Sequence, residues 1–271
     1  MKNETITQRK VALRKRDHAI MTAIATNRFI TSSDIRQLFW KSQTTRNHYT
    51  RLNTLTKAGL IEPLVGDNLA QLGYRLTKKG IAMLSSDVLK TDAIQNRRFS
   101  YKSSFDHDKL LVAIRRVFEE SPLVSGYIPE HEVRRMLASR HGKEEKRNAG
   151  YKVPDGLFKL KTAQKILTVA VELELTLKSK NRYQRIFREL LTSADFDVVF
   201  ILTANANMAR AIRTIALDVR ANDPYVRRWP IKRGLYFLPL DAFLTQRCEA
   251  TFEGDGQPFS LKSLEKEQTA G

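Results

Sequence analysis

Ten consecutive residues, Val169-Ala170-Val171-Glu172-Leu173-Glu174-Leu175-Thr176-Leu177-Lys178, alternate strictly from position 171. A strand turns successive side chains to opposite faces. The pattern therefore predicts Val171, Leu173, Leu175 and Leu177 in a core and Glu172, Glu174, Thr176 and Lys178 in one row on the other face. Asp155 precedes Glu172 by 17 residues, directly after Pro154 and near the start of an earlier strand. Three carboxylates gathered on one sheet face repel one another, and a cation offsets that cost. Oxygen-only ligation suits Mg²⁺ or Mn²⁺. Such an ion polarises a phosphate and lowers the pKa of a bound water. Asp155, Glu172 and Glu174 are thus the candidate metal ligands and catalytic residues. Lys178 stands where it can orient a nucleophile or stabilise charge on a phosphorane. A wet edge strand with a Glu–Lys cross-pair gives the same alternation. The Pro-Asp ahead of Glu-x-Glu and the distal Lys favour the catalytic reading.

The elements that must position these residues follow from residue 105 onward. Phe105 to Glu120 has the spacing of an amphipathic helix, with Leu110, Leu111, Ala113, Ile114, Val117 and Phe118 inward. Val124 to Ile128 reads as a short strand and Glu130 to Ala138 as a helix. Ser139 to Gly150 is a charged loop. Lys152 to Phe158 reads as turn and strand, Ile166 to Lys178 as the strongest strand, and Arg182 to Leu191 as a helix. Val198 to Thr203 is a buried strand, Asn207 to Val219 a helix, and Leu235 to Leu238 a last strand. Strands alternating with helices predict an α/β domain with a mixed central sheet over 105–252. A frayed polar tail is expected over 253–271.

The first 85 residues read differently. A helix over Thr7–Asn27 is followed by Ile30-Thr31-Ser32-Ser33-Asp34, which can cap a short helix over Ile35–Trp40. Ser42 or Thr44 can cap a third helix to about Ala58, with Tyr49, Leu52 and Leu55 inward and Gly59 as its C-cap. Leu60–Leu64 and Tyr74–Leu76 form a hairpin about Val65-Gly66-Asp67-Asn68, and Leu76-Thr77-Lys78-Lys79-Gly80 starts another helix. Three helices and a hairpin are the order of a winged helix-turn-helix. The second helix of such a motif enters the major groove and presents its N-terminal residues to base edges. Here these are Thr44, Thr45, Arg46, Asn47 and His48, with Arg51 one turn later. Arg can bridge a guanine and Asn an adenine. Lys78 and Lys79 can hold phosphates, which fix position rather than sequence. Residues 86–104, polar and basic, read as a linker.

Composition agrees with a polyanionic partner. The chain of 271 residues carries a formal charge of +18. Residues 1–102 hold 19 Lys or Arg against 7 Asp or Glu, so the N-terminal third is the expected docking surface. The single cysteine, Cys248, permits no intramolecular disulfide and no thiolate zinc site. With no signal-peptide stretch and no run of membrane-spanning length, a cytoplasmic protein is expected.

Pro154-Asp155, then Glu172-Leu173-Glu174 with Lys178, resembles the PD-(D/E)XK nuclease constellation. The order helix, strand with Asp, strand with acidic pair, helix, strand, helix is similar to that fold. Joined to the N-terminal segment, in which Leu52–Ile61 and Leu76–Gly80 look like the recognition-helix end and wing exit of winged helices, the chain resembles the replication-relaxation family. Within it the likeness is to MOB-C type relaxases of mobilisable elements, over residues from about 10 to 240. The resemblance implies a restriction-endonuclease-like second domain. It also implies a relaxase that nicks one strand at a plasmid origin of transfer with Mg²⁺ or Mn²⁺. An accessory protein and the coupling protein of a secretion channel are its implied partners. Lys178 or Lys180, Tyr183 and His107 match the family's Lys, Tyr and His, which gives His107, Lys180 and Tyr183 accessory places. The position two after Glu172 is Glu174 rather than Lys, a departure from the simplest nuclease pattern. No His-hydrophobe-His motif of the HUH relaxases is present, and His18, His48, His107, His131 and His141 are scattered. The rival expectations are a non-catalytic initiator or repressor, whose α/β domain would dimerise, and a defence or repair nuclease with the same chemistry.

Overall fold

A computed structural model describes residues 12–27, 29–40, 45–65, 71–84, 105–140, 152–229 and 233–270. The expected linker, residues 141–150 of the charged loop expected over 139–150, the hairpin turn from Gly66 to Asn68, and Ser42 and Thr44 lie outside the described residues. The chain divides into two compact units, Met1–Lys109 and Leu110–Gly271.

The first unit runs α1 (Lys15–Asn27), α2 (Ser32–Phe39), α3 (Thr45–Lys57), β1 (Ile61–Val65), β2 (Gln71–Leu76) and α4 (Lys78–Met83). Thr31, in extended backbone, caps α2 by accepting the Asp34 N–H at 3.1 Å. Its helix therefore begins at Ser32, ahead of the expected Ile35. Gly59, at φ +67°, ends the third helix in the left-handed region that favours glycine. The Lys79 ammonium donates to the Ala58 carbonyl there at 2.8 Å. Thr77 accepts the Gly80 N–H at 3.0 Å and donates to Gly59 O at 2.5 Å. A Cβ on Gly80 would overlap the Leu60 carbonyl, so Leu76–Gly80 locks the hairpin against the helix that precedes it. β1 and β2 pair antiparallel, and Ile30 adds a bridge to Tyr74. Ile20, Ile24, Ile35, Leu52, Leu55 and Ile61 fill the core.

Tyr49 departs from expectation. It is 53% exposed, while His48 is 2% exposed and packs with Trp40. Positions 48, 52 and 55 share one helical face, and position 49 is turned about 100° from 48. The inner face is therefore set by His48.

Helix α5 (Phe105–Phe118) crosses the division, and the second unit adds β3 (Val124–Pro129), α6 (Glu130–Arg140), β4 (Gly156–Lys161), β5 (Ile166–Glu174), α7 (Lys180–Thr192), β6 (Val198–Thr203), α8 (Ala206–Asn222), α9 (Pro224–Arg228), β7 (Gly234–Pro239), α10 (Leu240–Gln246), β8 (Glu253–Gly254) and α11 (Leu261–Ala270). The protein is thus α/β, with one mixed six-stranded sheet in the order β3-β4-β5-β6-β7-β8 and the small N-terminal sheet. β5, β6 and β7 are parallel, joined through α7 and α8, and the outer pairs are antiparallel. One apolar layer, with Val133, Tyr183, Phe187, Leu190 and Ile212, covers one face. Ile114, Phe118, Phe243, Phe252 and Leu261 cover the other.

Two expectations are corrected here. The tail is not frayed. Residues 253–254 pair with β7, Phe252 and Leu261 are fully buried, and Ser121 Oγ donates to Glu265 at 2.8 Å. Apolar residues at 252, 259, 261 and 264 close the edge of the core against α5 and α10. The strand predicted to reach Lys178 ends at Glu174, because β6, its parallel partner, ends at Thr203 opposite it.

Candidate active site

β4 and β5 lie side by side, with Gly156 opposite Val171. Strand alternation puts Asp155 on the same face as Leu157, and Glu172 and Glu174 on the same face as Ala170. Leu157 and Ala170 both belong to the layer under α6 and α7. The three acids therefore share the helix-covered face rather than a wet one. Their exposures are 8% for Asp155, 2% for Glu172 and 4% for Glu174. The expectation of a single apolar face is corrected. β5 is covered on both sides, as parallel strands flanked by helices are.

Backbone bonds fix Asp155. Its N–H donates to Val171 O at 2.9 Å, its carbonyl accepts from Glu130 N at 2.9 Å, and Oδ2 accepts from Leu173 N at 2.8 Å. The carboxylate is thus tied to the strand that carries the two glutamates.

Each glutamate has its own lysine. Lys152 Nζ lies 2.5 Å from Glu172 Oε2. Lys178 Nζ lies 2.5 and 2.6 Å from the two Glu174 oxygens. Lys178 is not on the strand face as predicted. It reaches Glu174 from the irregular segment after β5. Tyr183 Oη, from α7, donates to Glu174 Oε2 at 3.3 Å and lies 3.4 Å from Lys178 N. Lys180, at the start of the same helix, points elsewhere, with Nζ 3.6 Å from Asp218 Oδ2. His107, on α5, has Nδ1 3.8 Å from Asp108 Oδ1.

The electrostatics follow from burial. Burial pushes the Glu172 carboxyl up to about 8. Lys152 pulls it down, and Asp155 and Glu174 push it up further. Burial works against the Lys152 ammonium, but Glu172 and Asp155 outweigh it and hold its pKa above the ordinary lysine value. Burial and then Glu174 raise the Tyr183 phenol to about 12. These are mutual effects of groups that stand close together.

Reasoning from the sequence missed Lys152 and Tyr127. Lys152 sits three residues before Asp155, and only the β4–β5 pairing brings it to Glu172. Tyr127, on β3, has a buried hydroxyl without a hydrogen-bond partner among the described residues. It lies where a Cβ on Gly156 would be, which explains the glycine after Asp155. Burial, then Asp155, raises its pKa. Neither residue carries a signal in the sequence beyond its proximity to a strand.

Among the described residues no group of three or more His, Cys, Asp or Glu side chains stands in a metal-holding arrangement. The donor set of the acidic trio is nonetheless all oxygen, as a hard cation requires. Glu172 Oε1 is buried and has no hydrogen-bond partner among the described residues, an acceptor that a cation would satisfy. By type the residues fit, with Lys152 on Glu172 Oε2 and Lys178 on both Glu174 oxygens.

In the first unit the expected DNA-reading residues separate. Asn47 is exposed, whereas His48 is buried with Nε2 3.3 Å from Ser32 Oγ. Arg51 turns inward, with Nε 2.6 Å from Asp17 Oδ1 and a second nitrogen on Oδ2. Lys78 is exposed, and Lys79 caps the third helix as described. Thr44 and the side chains of Thr45 and Arg46 lie outside the described residues.

No family model matches the chain, and no curated protein or solved structure matches it. No helix among the described residues is long and apolar enough to cross a membrane.

Proposed function

We propose that this protein is a divalent-metal-dependent DNA endonuclease of the relaxase kind, which nicks one strand at a plasmid origin of transfer. The first unit would act as a winged-helix DNA-docking module and the second as a restriction-endonuclease-like catalytic domain. The observation that carries the reading is the meeting of Asp155, Glu172 and Glu174 on one buried sheet face, with Asp155 bonded to the strand of the other two. Burying three carboxylates together is costly for a domain that only dimerises or packs.

Asp155, Glu172 and Glu174 would hold Mg²⁺ or Mn²⁺, which when bound supplies Lewis-acid activation of the phosphate and of a water. Asp155, fixed by the Leu173 N–H, would set the position of the trio. Lys152 and Lys178 hold the glutamates in place and offer positive charge to a phosphate approaching them. Tyr183 lies buried against Glu174, so it packs and orients rather than attacks; water is the nucleophile. Exposed Asn47 would read a base and Lys78 hold a phosphate. The accessory and coupling proteins of a conjugation system are the partners this reading implies, and the cytoplasm is its compartment.

A second reading has its own support. Lys152 and Lys178 already neutralise both glutamates, as they would in a structural ion-pair network. The protein would then be a non-catalytic winged-helix initiator or regulator. Supercoiled plasmid bearing the native transfer region, incubated with protein and Mg²⁺, Mn²⁺ or EDTA, separates the two. Metal-dependent open circles from wild type, absent with Asp155→Asn that still binds DNA, support the nuclease. Tight binding without nicking in either metal, with the accessory protein present, supports the regulator.

A further inference from the structure

At the opposite end of the parallel strands from the acidic trio, the second unit contains a cavity of about 300 Å³. Leu191 and Val226 form its apolar part, and Arg220, Arg227, Trp229 and Arg233 its polar part. Arg233 leads directly into β7, whose first residue, Gly234, pairs with Val198 at the start of β6. Glu174 pairs with Thr203 at the other end of that strand. A six-residue strand spans about 20 Å, so the two places are distinct.

Arg233 is the unusual residue. It is 5% exposed, and its side chain donates to Ser193 O at 2.7 Å. No carboxylate among the described residues forms an ion pair with it. Burying a guanidinium without an anion is costly. Two carboxylates near by are committed to other cations. Asp255 pairs with Arg220 and also accepts the Leu235 N–H at 2.6 Å. Asp223 pairs with Arg188 at 2.6 Å. Arg220 in turn donates to the Arg233 carbonyl at 2.5 Å, which fixes the backbone of Arg233 at the cavity wall. Arg227 adds an exposed guanidinium with no carboxylate partner among the described residues. The Trp229 indole N–H is buried with no acceptor among them.

We propose that this cavity is an anion site for a phosphate group, either free or carried by a nucleotide. Arg233 and Arg227 supply the planar donor forks that match phosphate oxygens. Tyr225, 57% exposed and with its ring centroid 6.3 Å from that of Trp229, offers a face on which an attached base stacks. The site does not rest on the nuclease reading, because none of its residues belongs to the acidic trio.

Isothermal titration of the full chain with inorganic phosphate and with thymidine 5′-monophosphate tests it, using wild type, Arg233→Gln, Arg227→Gln and Asp155→Asn. Wild type and Asp155→Asn are expected to bind alike, and the two arginine variants roughly tenfold more weakly or worse. Tighter binding of the monophosphate than of phosphate identifies a nucleotide as the source; equal binding identifies free phosphate. Arg227 is exposed, so its variant informs even where Arg233→Gln fails to fold. No binding of either anion by wild type, or binding by Arg227→Gln equal to wild type, overturns the proposal.

Discussion

Lys152 Nζ lies 2.5 Å from Glu172 Oε2, a contact that joins the lead-in of β4 to the acidic end of β5. The pair couples the candidate site to the stability of the second unit, because Glu172 is almost wholly buried.

That coupling has a pH signature. The Glu172 carboxyl moves from its ordinary 4.5 to about 8 in the folded chain. Between those values the native state holds a proton that the unfolded chain has released, so stability falls as pH rises through the window. Lys152 is held above its ordinary 10.5, so it stays charged throughout the window. Glu172→Gln removes the titration. Urea unfolding from pH 5 to 8 should show wild type losing on the order of a few kcal/mol relative to this variant. Parallel curves would mean that Lys152 keeps Glu172 ionised throughout.

Asp155→Asn isolates charge from fold. The Asn carbonyl oxygen can still accept the Leu173 N–H, so thermal stability should change by no more than about 1 kcal/mol. Nicking of supercoiled plasmid should fall by roughly 100-fold or more, the scale of losing one transition-state electrostatic group. Retained nicking at the wild-type rate would remove Asp155 from the chemistry.

Asp17 and Arg51 make a different forecast in the first unit. Burial pushes Asp17 up, but Arg51 and the Arg14 N–H outweigh it and hold its pKa below 3.8. Its stabilisation is therefore fully present above that value and is lost as pH falls through the folded pKa. Asp17→Ala should cost about 3 kcal/mol at neutral pH, the low end for breaking a buried pair, since Arg51 keeps some solvent access. Fluorescence of Trp40, buried in the same unit, reports its unfolding. An unchanged midpoint at pH 7 would leave Arg51 free for DNA.

Asn47 and Lys78 should divide specificity from affinity. Asn47→Ala is expected to weaken binding to the native site by about 1–3 kcal/mol and leave random DNA unaffected. Lys78→Ala should weaken both and lower the salt slope by about 0.9. Gel shifts across a salt series check this; identical losses for both variants on both DNAs would contradict the assignment.

The sequence by itself determined the elements and the chemistry available. Period-2 alternation placed Glu172 and Glu174 on one face because a strand has no other option, and Thr31, Gly59 and Thr77 fixed helix ends by local bonds. Only the tertiary structure decided what that face meets. Coverage of both faces of β5, the end of that strand at Glu174, and the approach of Lys152 and Tyr127 all depend on pairing and helix packing between distant segments. The inward turn of His48 and Arg51, and the docking of Leu261 where a loose tail was expected, have the same origin. A side chain's type and local spacing are encoded in sequence, whereas burial and charge partners are properties of contacts, and those form only when remote segments pack together.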